Sequence, residues 1–248
     1  HLELGRSYAA LADEDPLASE RAEFHLRRAL EVYAPRRSRE APFAARARCA
    51  LAHLVTKEDF AEAWGLFEEA RHIDPASPEA WLGLAELYRL RSPTRAKEGD
   101  RVRDLRLAER YARTCANQVA PYSEDSWLAL GLILAQMPQR ETEALEALDQ
   151  AVSRGARPWR SRWARGRVLV ARGRDLDAWA DYEAAIGLLE IGAELSRSEA
   201  ASFAAVLPEA RDLLLRLGRA EEAEALSVRV RQNAETPAIA PASSGSRQ

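Results

Sequence analysis

Residues 63–88 read AWGLFEEARHIDPASPEAWLGLAELY, and this stretch decides the fold of the chain. Ala63, Phe67 and Ala70 lie at spacings i, i+4 and i+7, which place them on one face of an α-helix. Small residues on such a face let a second helix approach closely, while an aromatic side chain fills the remaining volume. A turn at residues 74–75 ends this helix, so the stretch predicts two packed helices joined by a short connection.

The same small–large–small pattern recurs along the chain, and it appears as Ala22/Leu26/Ala29, Ala63/Phe67/Ala70, Ala108/Ala112/Cys115, Ala144/Leu148/Ala151, Ala178/Tyr182/Ala185 and, in degenerate form, Ala223/Ser227/Val230. A second pattern, Trp81-x2-Leu84-Ala85-x2-Tyr88, precedes one copy and returns in part at Trp127-x2-Leu130-Gly131. Together the two patterns resemble the tetratricopeptide repeat, in which W-x2-L-G-x2-Y marks the first helix and A-x3-F the second. One such hairpin cannot cover its own apolar face, so neighbouring hairpins must stack.

This resemblance implies an all-α fold, an α-α superhelix in which antiparallel helix hairpins form a TPR-like solenoid. We expect a single solenoid over residues 1–233, with hairpins at about 1–35, 41–75, 78–121, 124–155, 158–190 and 196–233. Residues 91–103 lengthen the turn inside the third hairpin, and Pro208 predicts a kink or a helix restart. Residues 234–248, rich in Pro, Ala and Ser, predict a flexible tail.

Composition limits the function classes. The net charge is −3 with a pI near 6.0, which argues against a generic polyanion binder. The two cysteines and four histidines show no metal-ligand or redox spacing, and no catalytic template or nucleotide-binding loop is present. No apolar run is long enough for a membrane span. The sequence therefore predicts neither an enzyme nor a bound cofactor or metal.

By resemblance to the family, the groove-facing positions of the first helices are Arg48, Ala52, Leu82, Glu86, Leu128, Leu132, Arg160, Trp163 and Arg167. They predict a groove that is apolar in its middle, with arginine towards both ends. Such a surface suits a protein or peptide segment with apolar anchors and acidic flanks. The alternative interpretation is that Leu82, Leu128 and Leu132 are packing residues. The Lys and Asn set with which one branch of the family binds carboxylate termini is absent.

Residues 154–174 form a local anomaly, because they contain two tryptophans, no acidic residue and eight arginines: Arg154, Arg157, Arg160, Arg162, Arg165, Arg167, Arg172 and Arg174. Like charges this close repel one another unless a partner or solvent relieves them. Two registers are open. In one, Trp163 faces the groove; in the other, which we favour, it packs in the core and leaves Arg162 and Arg165 to solvent, since burying unpaired arginines is costly. An acidic protein partner fits the total charge better than nucleic acid, which uses similar Arg/Trp surfaces.

These observations predict a non-enzymatic scaffold or adaptor that binds a protein segment and, by resemblance to bacterial relatives, assists assembly of a larger complex. Two alternatives stay open: nucleic-acid or polyanion binding through residues 154–174, and a docking or regulatory domain of a larger enzyme. His1 lies inside a predicted helix, so we expect a trimmed N-terminus. The sequence leaves the oligomeric state open, and the compartment open between the cytoplasm and a bacterial cell envelope.

Overall fold

The computed structural model describes residues 1–12, 15–32, 41–191 and 197–235. Within these ranges the chain forms twelve α-helices and no β-strand. The helices are α1 (Leu2–Ala9), α2 (Pro16–Val32), α3 (Ala41–Val55), α4 (Phe60–Ile73), α5 (Pro78–Arg91), α6 (Glu98–Thr114), α7 (Glu124–Leu134), α8 (Glu141–Arg154), α9 (Trp159–Ala171), α10 (Asp175–Ile191), α11 (Arg197–Arg216) and α12 (Ala220–Glu235). The predicted all-helical class is confirmed.

The helices pack as hairpins, α1 with α2 through α11 with α12, and each second helix packs on the first helix of the next hairpin. The small residues of the repeated pattern lie at these contacts: Ala22, Ala63, Ala70, Ala108, Ala144 and Ala178 are fully buried. The helices approach so closely that a Cβ added at Gly131 of α7 would lie 2.6 Å from Cγ of Leu148 in α8. The spacing of small residues therefore sets the distance between helices.

The contacts also define which face lies inside the solenoid. Among the described residues, each first helix from α1 to α7 contacts the first helix of the next hairpin. No second helix contacts another second helix in this part of the chain. Because first helices lie closer together than second helices, the first helices line the inner, concave side of the array. The solenoid predicted from the sequence is confirmed, and its inner face carries the candidate site.

The turn insertion is shorter than the predicted 91–103, because α6 already begins at Glu98. Residues Ser92–Thr94 form one 3-10 turn between the helices. Asp104, which is buried, accepts two hydrogen bonds from the Arg91 guanidinium at 2.8 and 2.6 Å. A bidentate pair of this kind ties the end of α5 to the second turn of α6. The extra residues thus extend a helix more than they extend a loop.

The predicted restart at Pro208 is wrong, because α11 continues through this residue. Pro208 itself is exposed to solvent. Helix α12 extends to Glu235, and the rest of the predicted tail, residues 236–248, lies outside the described residues. The predicted end of the first hairpin, residues 33–35, and residue 196 lie outside them as well.

Candidate peptide-binding groove

The candidate site is the row of first helices on the inner side of the solenoid. Its N-terminal end contains a cavity of about 330 Å³. The cavity is lined by residues of α1, α3 and α5 only: Arg6, Ala9, Arg46, Cys49, Ala50, His53 and Glu79. Since no second helix contributes a lining residue, this cavity opens on the inner face.

Three rows of side chains run along this face, each made of equivalent positions on successive first helices. In α5 the three positions are Glu79, Leu82 and Glu86, at spacings i, i+3 and i+7. The middle row, called the floor, packs beneath the groove with Cys49, Leu128 and Trp163 at 1%, 4% and 4% exposure, and only its member in α5, Leu82, is half-buried. The outer rows are the walls, and most of their side chains are charged and at least partly exposed.

The cations with the weakest pairing in the groove lie at its N-terminal end. Arg46 is half-buried in the cavity wall and has no ion pair among the described residues. Arg6 lies 3.9 Å from Glu3, at the outer limit for an ion pair, and its side chain is 41% exposed. Glu79 is the acidic member of the same cavity. This end of the groove can therefore accept an anionic group without first breaking a short ion pair.

The cations at the C-terminal end already have partners. Arg160 of α9 pairs with Asp125 of α7 at 3.7 Å, and Arg167 pairs with Glu209 of α11 at 3.4 Å. The two guanidinium groups are each 61% exposed, so these are weak surface pairs that a competing anion can replace only at some cost. The two ends of the groove therefore differ in free positive charge.

The middle of the groove is less apolar than predicted. Leu128 is buried in a cluster with Leu148 and Val168, so its assignment to the groove surface is wrong. Leu82 and Leu132 are half-buried, Leu132 at the edge of the same cluster, and their place on the groove surface stays a prediction. Glu86 of the outer row is held by Arg89 at 2.6 Å.

No protein-family model matches the sequence, and no curated protein matches it either. Solved structures do match. The structure described as a thermophilic TPR protein, TTC0263 of Thermus thermophilus, superposes with a TM-score of 0.66 at 20% identity over 86% of this chain and 97% of the other. BtubC from P. vanneervenii also gives a TM-score of 0.66, at 18% identity over 93% and 98%. PilF of Pseudomonas aeruginosa gives 0.59, at 16% identity over 93% and 91%.

The chain has a tetratricopeptide-repeat fold. The match covers nearly the whole of each neighbouring structure, so it includes the stacking of the hairpins as well as their helices.

In this tetratricopeptide-repeat solenoid the second hairpin has a different register from the predicted one. Ala52 is fully buried and takes the small packing position of α3, so it does not line the groove. Arg48 instead donates a hydrogen bond to Glu69 of α4 at 2.8 Å. The residues of α3 that line the cavity include Arg46, Cys49 and His53, so Cys49 and His53 are one position away from the predicted Arg48 and Ala52. The Ala-rich segment AARARCALA carries no tryptophan or glycine that fixes the register, and this is why the sequence missed them.

Trp163 packs in the core, as favoured above, with its ring stacked on Tyr182 at a centroid distance of 4.0 Å. It therefore does not line the groove surface. The solvent-facing placement of Arg162 and Arg165 is wrong, since both are half-buried and bind the buried Asp181 of α10, Arg165 at 2.5 and 2.7 Å. The hydrogen bonds that Arg165 donates to the Asp181 carboxylate raise the pKa of Arg165 above its usual range.

The remaining arginines of the basic segment are also matched by groups outside it. Arg154 donates to the carbonyl of Pro121 at 2.7 Å and lies over the Trp127 ring, and Arg157 donates to the carbonyl of Leu188. Arg172 donates to the Thr142 hydroxyl, and Arg174 pairs with Asp177. Arg154, Arg157 and Arg172 therefore have neutral acceptors and no ion pair among the described residues, whereas Arg174 pairs with a carboxylate. Most of these acceptors are 30 or more residues away in the chain, outside a local window of sequence.

The described residues of the solenoid contain no cluster of three or more His, Cys, Asp or Glu placed to hold a metal ion. None of the described helices is both long and apolar enough to cross a membrane.

The thiol at the groove floor is unreactive by its environment. Burial, reinforced by the Glu79 and Asp74 carboxylates, raises the pKa of Cys49 to about 12, and burial also raises the pKa of Cys115. At pH 8 we expect native Cys49 to react with iodoacetamide about a thousandfold more slowly than a free cysteine, because almost none of it is thiolate. Mass spectrometry of the labelled protein checks this, with the protein unfolded in guanidinium as the control in which both cysteines label. Rapid native labelling of Cys49 would contradict the burial described here.

Proposed function

We propose that this protein is a non-enzymatic scaffold that binds an extended segment of a partner protein along its inner face, and so helps to assemble a larger complex. The carrying observation is the cavity at the N-terminal end, where Arg46 has no ion pair among the described residues. The tetratricopeptide-repeat fold supports the scaffold class by analogy, since solenoids of this kind present extended concave binding surfaces.

The chemistry of the groove indicates which kind of partner segment it can bind. An acidic side chain or a terminal carboxylate over Arg6 and Arg46 gains charge-assisted hydrogen bonds. Next along the groove, Leu82 and Leu132 offer half-buried apolar surface for a hydrophobic anchor. We therefore propose a segment with an acidic group at the end bound by α1 and α3, followed by apolar residues over α5 and α7. We place the acidic flank at the N-terminal end because Arg46 has no ion pair among the described residues, whereas Arg160 and Arg167 each have a weak one.

The test is selection of a displayed random-peptide library on the wild-type protein, followed by fluorescence polarisation with a selected peptide. We expect enrichment of Asp or Glu beside apolar residues. Arg46→Glu is then expected to weaken binding by about tenfold or more, because it removes a charge-assisted contact and adds a repulsive one. The wild-type affinity should also fall as salt is raised.

The matched control is Arg106→Glu, the same charge reversal at an exposed arginine of α6, outside the first helices. It should leave peptide affinity unchanged within about twofold. Equal loss in both variants would show that only total charge matters. A selected consensus without acidic residues, bound equally by wild type and Arg46→Glu, would contradict the proposed placement of the acidic flank.

A further inference from the structure

A second cavity, of about 350 Å³, lies between α6, α7 and α8, and we refer to it as the outer cavity. Its bottom is formed by Trp127, Leu130 and Leu134 of α7, and its sides belong to the second helices α6 and α8. Since second helices lie on the side of the array opposite the inner face, the outer cavity is separate from the candidate groove. Described hairpins precede and follow it, so it lies within the array.

The equivalent space one hairpin earlier, between α4, α5 and α6, is filled by the side chain of Tyr111. The Tyr111 ring lies 6.0 Å from the ring of Tyr88 and 6.1 Å from that of Trp81, both in α5. Its hydroxyl donates a hydrogen bond to Glu68 of α4 at 2.9 Å. The guanidinium of Arg110 lies 5.4 Å from the centre of the same ring. Helix α6 therefore fills this space with an aromatic ring and places a cation beside it.

The tryptophan at the bottom of each space shows that the two spaces are equivalent. The indole N–H of Trp81 donates a hydrogen bond to the carbonyl of Pro75 at 2.9 Å. The indole N–H of Trp127 donates one to the carbonyl of Pro121 at 2.8 Å, six residues earlier in the chain in both cases. The two rings are therefore held in the same way, and what differs is the helix that packs over them.

The outer cavity is open because α8 lacks the groups that α6 supplies. Aligned on the first small residue of the packing pattern in each helix, Arg110 and Tyr111 of α6 correspond to Glu146 and Ala147 of α8. A ring the size of benzene fits a cavity of about 150 Å³. The outer cavity, at about 350 Å³, can therefore accept the aromatic side chain that Ala147 does not provide.

The charges around the outer cavity favour a basic group beside that ring. Arg113 pairs with Glu109 at 2.8 Å and with Glu143 at 3.2 Å. Arg140 binds the same two carboxylates, so these four charges balance one another. Glu146 also lines the cavity and has no ion pair among the described residues. It can therefore bind a cation without breaking an existing pair.

We propose that the outer cavity binds a segment of a partner protein through an aromatic side chain that lies next to a basic one. The ring packs against Trp127 and Leu134, as Tyr111 packs against the equivalent residues of α5, and the basic group pairs with Glu146. Glu146 and Gln150 of the lining are exposed, so a side chain can enter while the partner's backbone stays outside. The inference does not depend on the groove, because it concerns the opposite face of the solenoid.

The test is ¹⁹F NMR of the full chain with its six tryptophans replaced by 5-fluorotryptophan. The resonance that is missing from Trp127→Phe reports on the outer cavity. The probe is the blocked dipeptide N-acetyl-arginyl-tyrosine amide, and we expect it to shift this resonance in a saturable way. The arginyl-alanine analogue, which lacks the ring, should cause no shift. The glutamyl-tyrosine analogue should bind at least about threefold more weakly, because it meets Glu146 with a like charge.

Four variants locate the binding. Ala147→Tyr supplies the missing ring from within the chain, so it should weaken binding of the arginyl-tyrosine probe by about tenfold or more. Ala180→Tyr, the same change at an exposed alanine of α10, is the control and should bind as the wild type does. Glu146→Lys, at an exposed position, should reverse the preference between the arginyl and glutamyl probes. Arg46→Glu should leave this binding unchanged, which separates the outer cavity from the groove.

Circular dichroism should give the same helical content for these variants, and if Ala147→Tyr loses helix, the charge reversal in Glu146→Lys decides. A Trp127 resonance that shows no saturable shift up to the solubility limit of the arginyl-tyrosine probe overturns the proposal. So does binding that a folded Ala147→Tyr protein retains, or equal affinity of the wild type for the arginyl and glutamyl probes. Tyramine bound as tightly as the dipeptide would assign the cavity to a small aromatic amine, and the partner-protein occupant would be wrong.

Discussion

Phe67→Ala is expected to lower the free energy of unfolding by about 3–5 kcal/mol, the range for removing a fully buried aromatic side chain. Phe67 is 1% exposed and joins three helices: its ring contacts His53 of α3 at 5.0 Å and lies against Gly83 of α5. Removing it therefore leaves a cavity at the junction of two hairpins. Urea unfolding followed by circular dichroism measures the loss. Trp64→Ala, on the exposed side of the same helix, is the control and should cost about 1 kcal/mol or less.

A second substitution, Gly83→Ala, tests the contact with Phe67 through the sign of its effect on stability. A Cβ at Gly83 would lie 2.1 Å from Cε1 of Phe67, so Gly83→Ala should destabilise the wild type by overpacking. In the Phe67→Ala background the clashing ring is gone, and the better helix propensity of alanine should stabilise by about 0.5–1 kcal/mol. The double-mutant cycle thus predicts opposite signs for one substitution. If Gly83→Ala has the same effect in both backgrounds, the two residues are not in the contact described here.

The fold was predictable because its cause is local and repeated. Ala63, Phe67 and Ala70 occupy one helix face by spacing alone, and the structure buries all three. The features that could not be predicted from the sequence depend on residues far apart in the chain. The Arg91–Asp104 pair lies where an insertion was predicted, and the sequence around either residue does not indicate that the two form a pair.

The candidate site was predictable only where strong markers fix the register. In α5, Trp81 and Tyr88 fix the register, and the structure leaves Leu82 and Glu86 half-buried, as the predicted groove positions require. In α3 the buried positions carry only small or aliphatic side chains, and an error of one residue exchanges Arg48 for Cys49 and Ala52 for His53. Groups that differ by one position on a helix point about 100° apart. The prediction that Arg162 and Arg165 face solvent failed for a similar reason, since their partner Asp181 lies on the next helix.

The same substitution at Leu128 and at Leu132 should distinguish a buried floor residue from a half-buried wall residue. Leu128→Glu is expected to cost about 3–5 kcal/mol, because Leu128 is 4% exposed in a cluster of purely apolar side chains and the new carboxylate would be buried unpaired. Leu132→Glu lies one turn further along α7, and because Leu132 is half-buried at the edge of the same cluster, it should cost less, about 1–2 kcal/mol. Thermal unfolding of both variants by circular dichroism provides the comparison.

The two variants should also differ in pH dependence and in binding. Burial raises the pKa of a glutamate at position 128, so the loss in Leu128→Glu should be present near neutral pH and shrink as the pH falls towards about 4 and the group is neutralised. Leu132→Glu, with its carboxylate in contact with solvent, should show no such recovery relative to wild type. On the groove proposal, Leu132→Glu folds but loses affinity for a selected peptide by about tenfold. A stable Leu128→Glu protein would place Leu128 on the groove surface after all, and the floor of the groove would then be shallower than the packing of α7 against α8 implies.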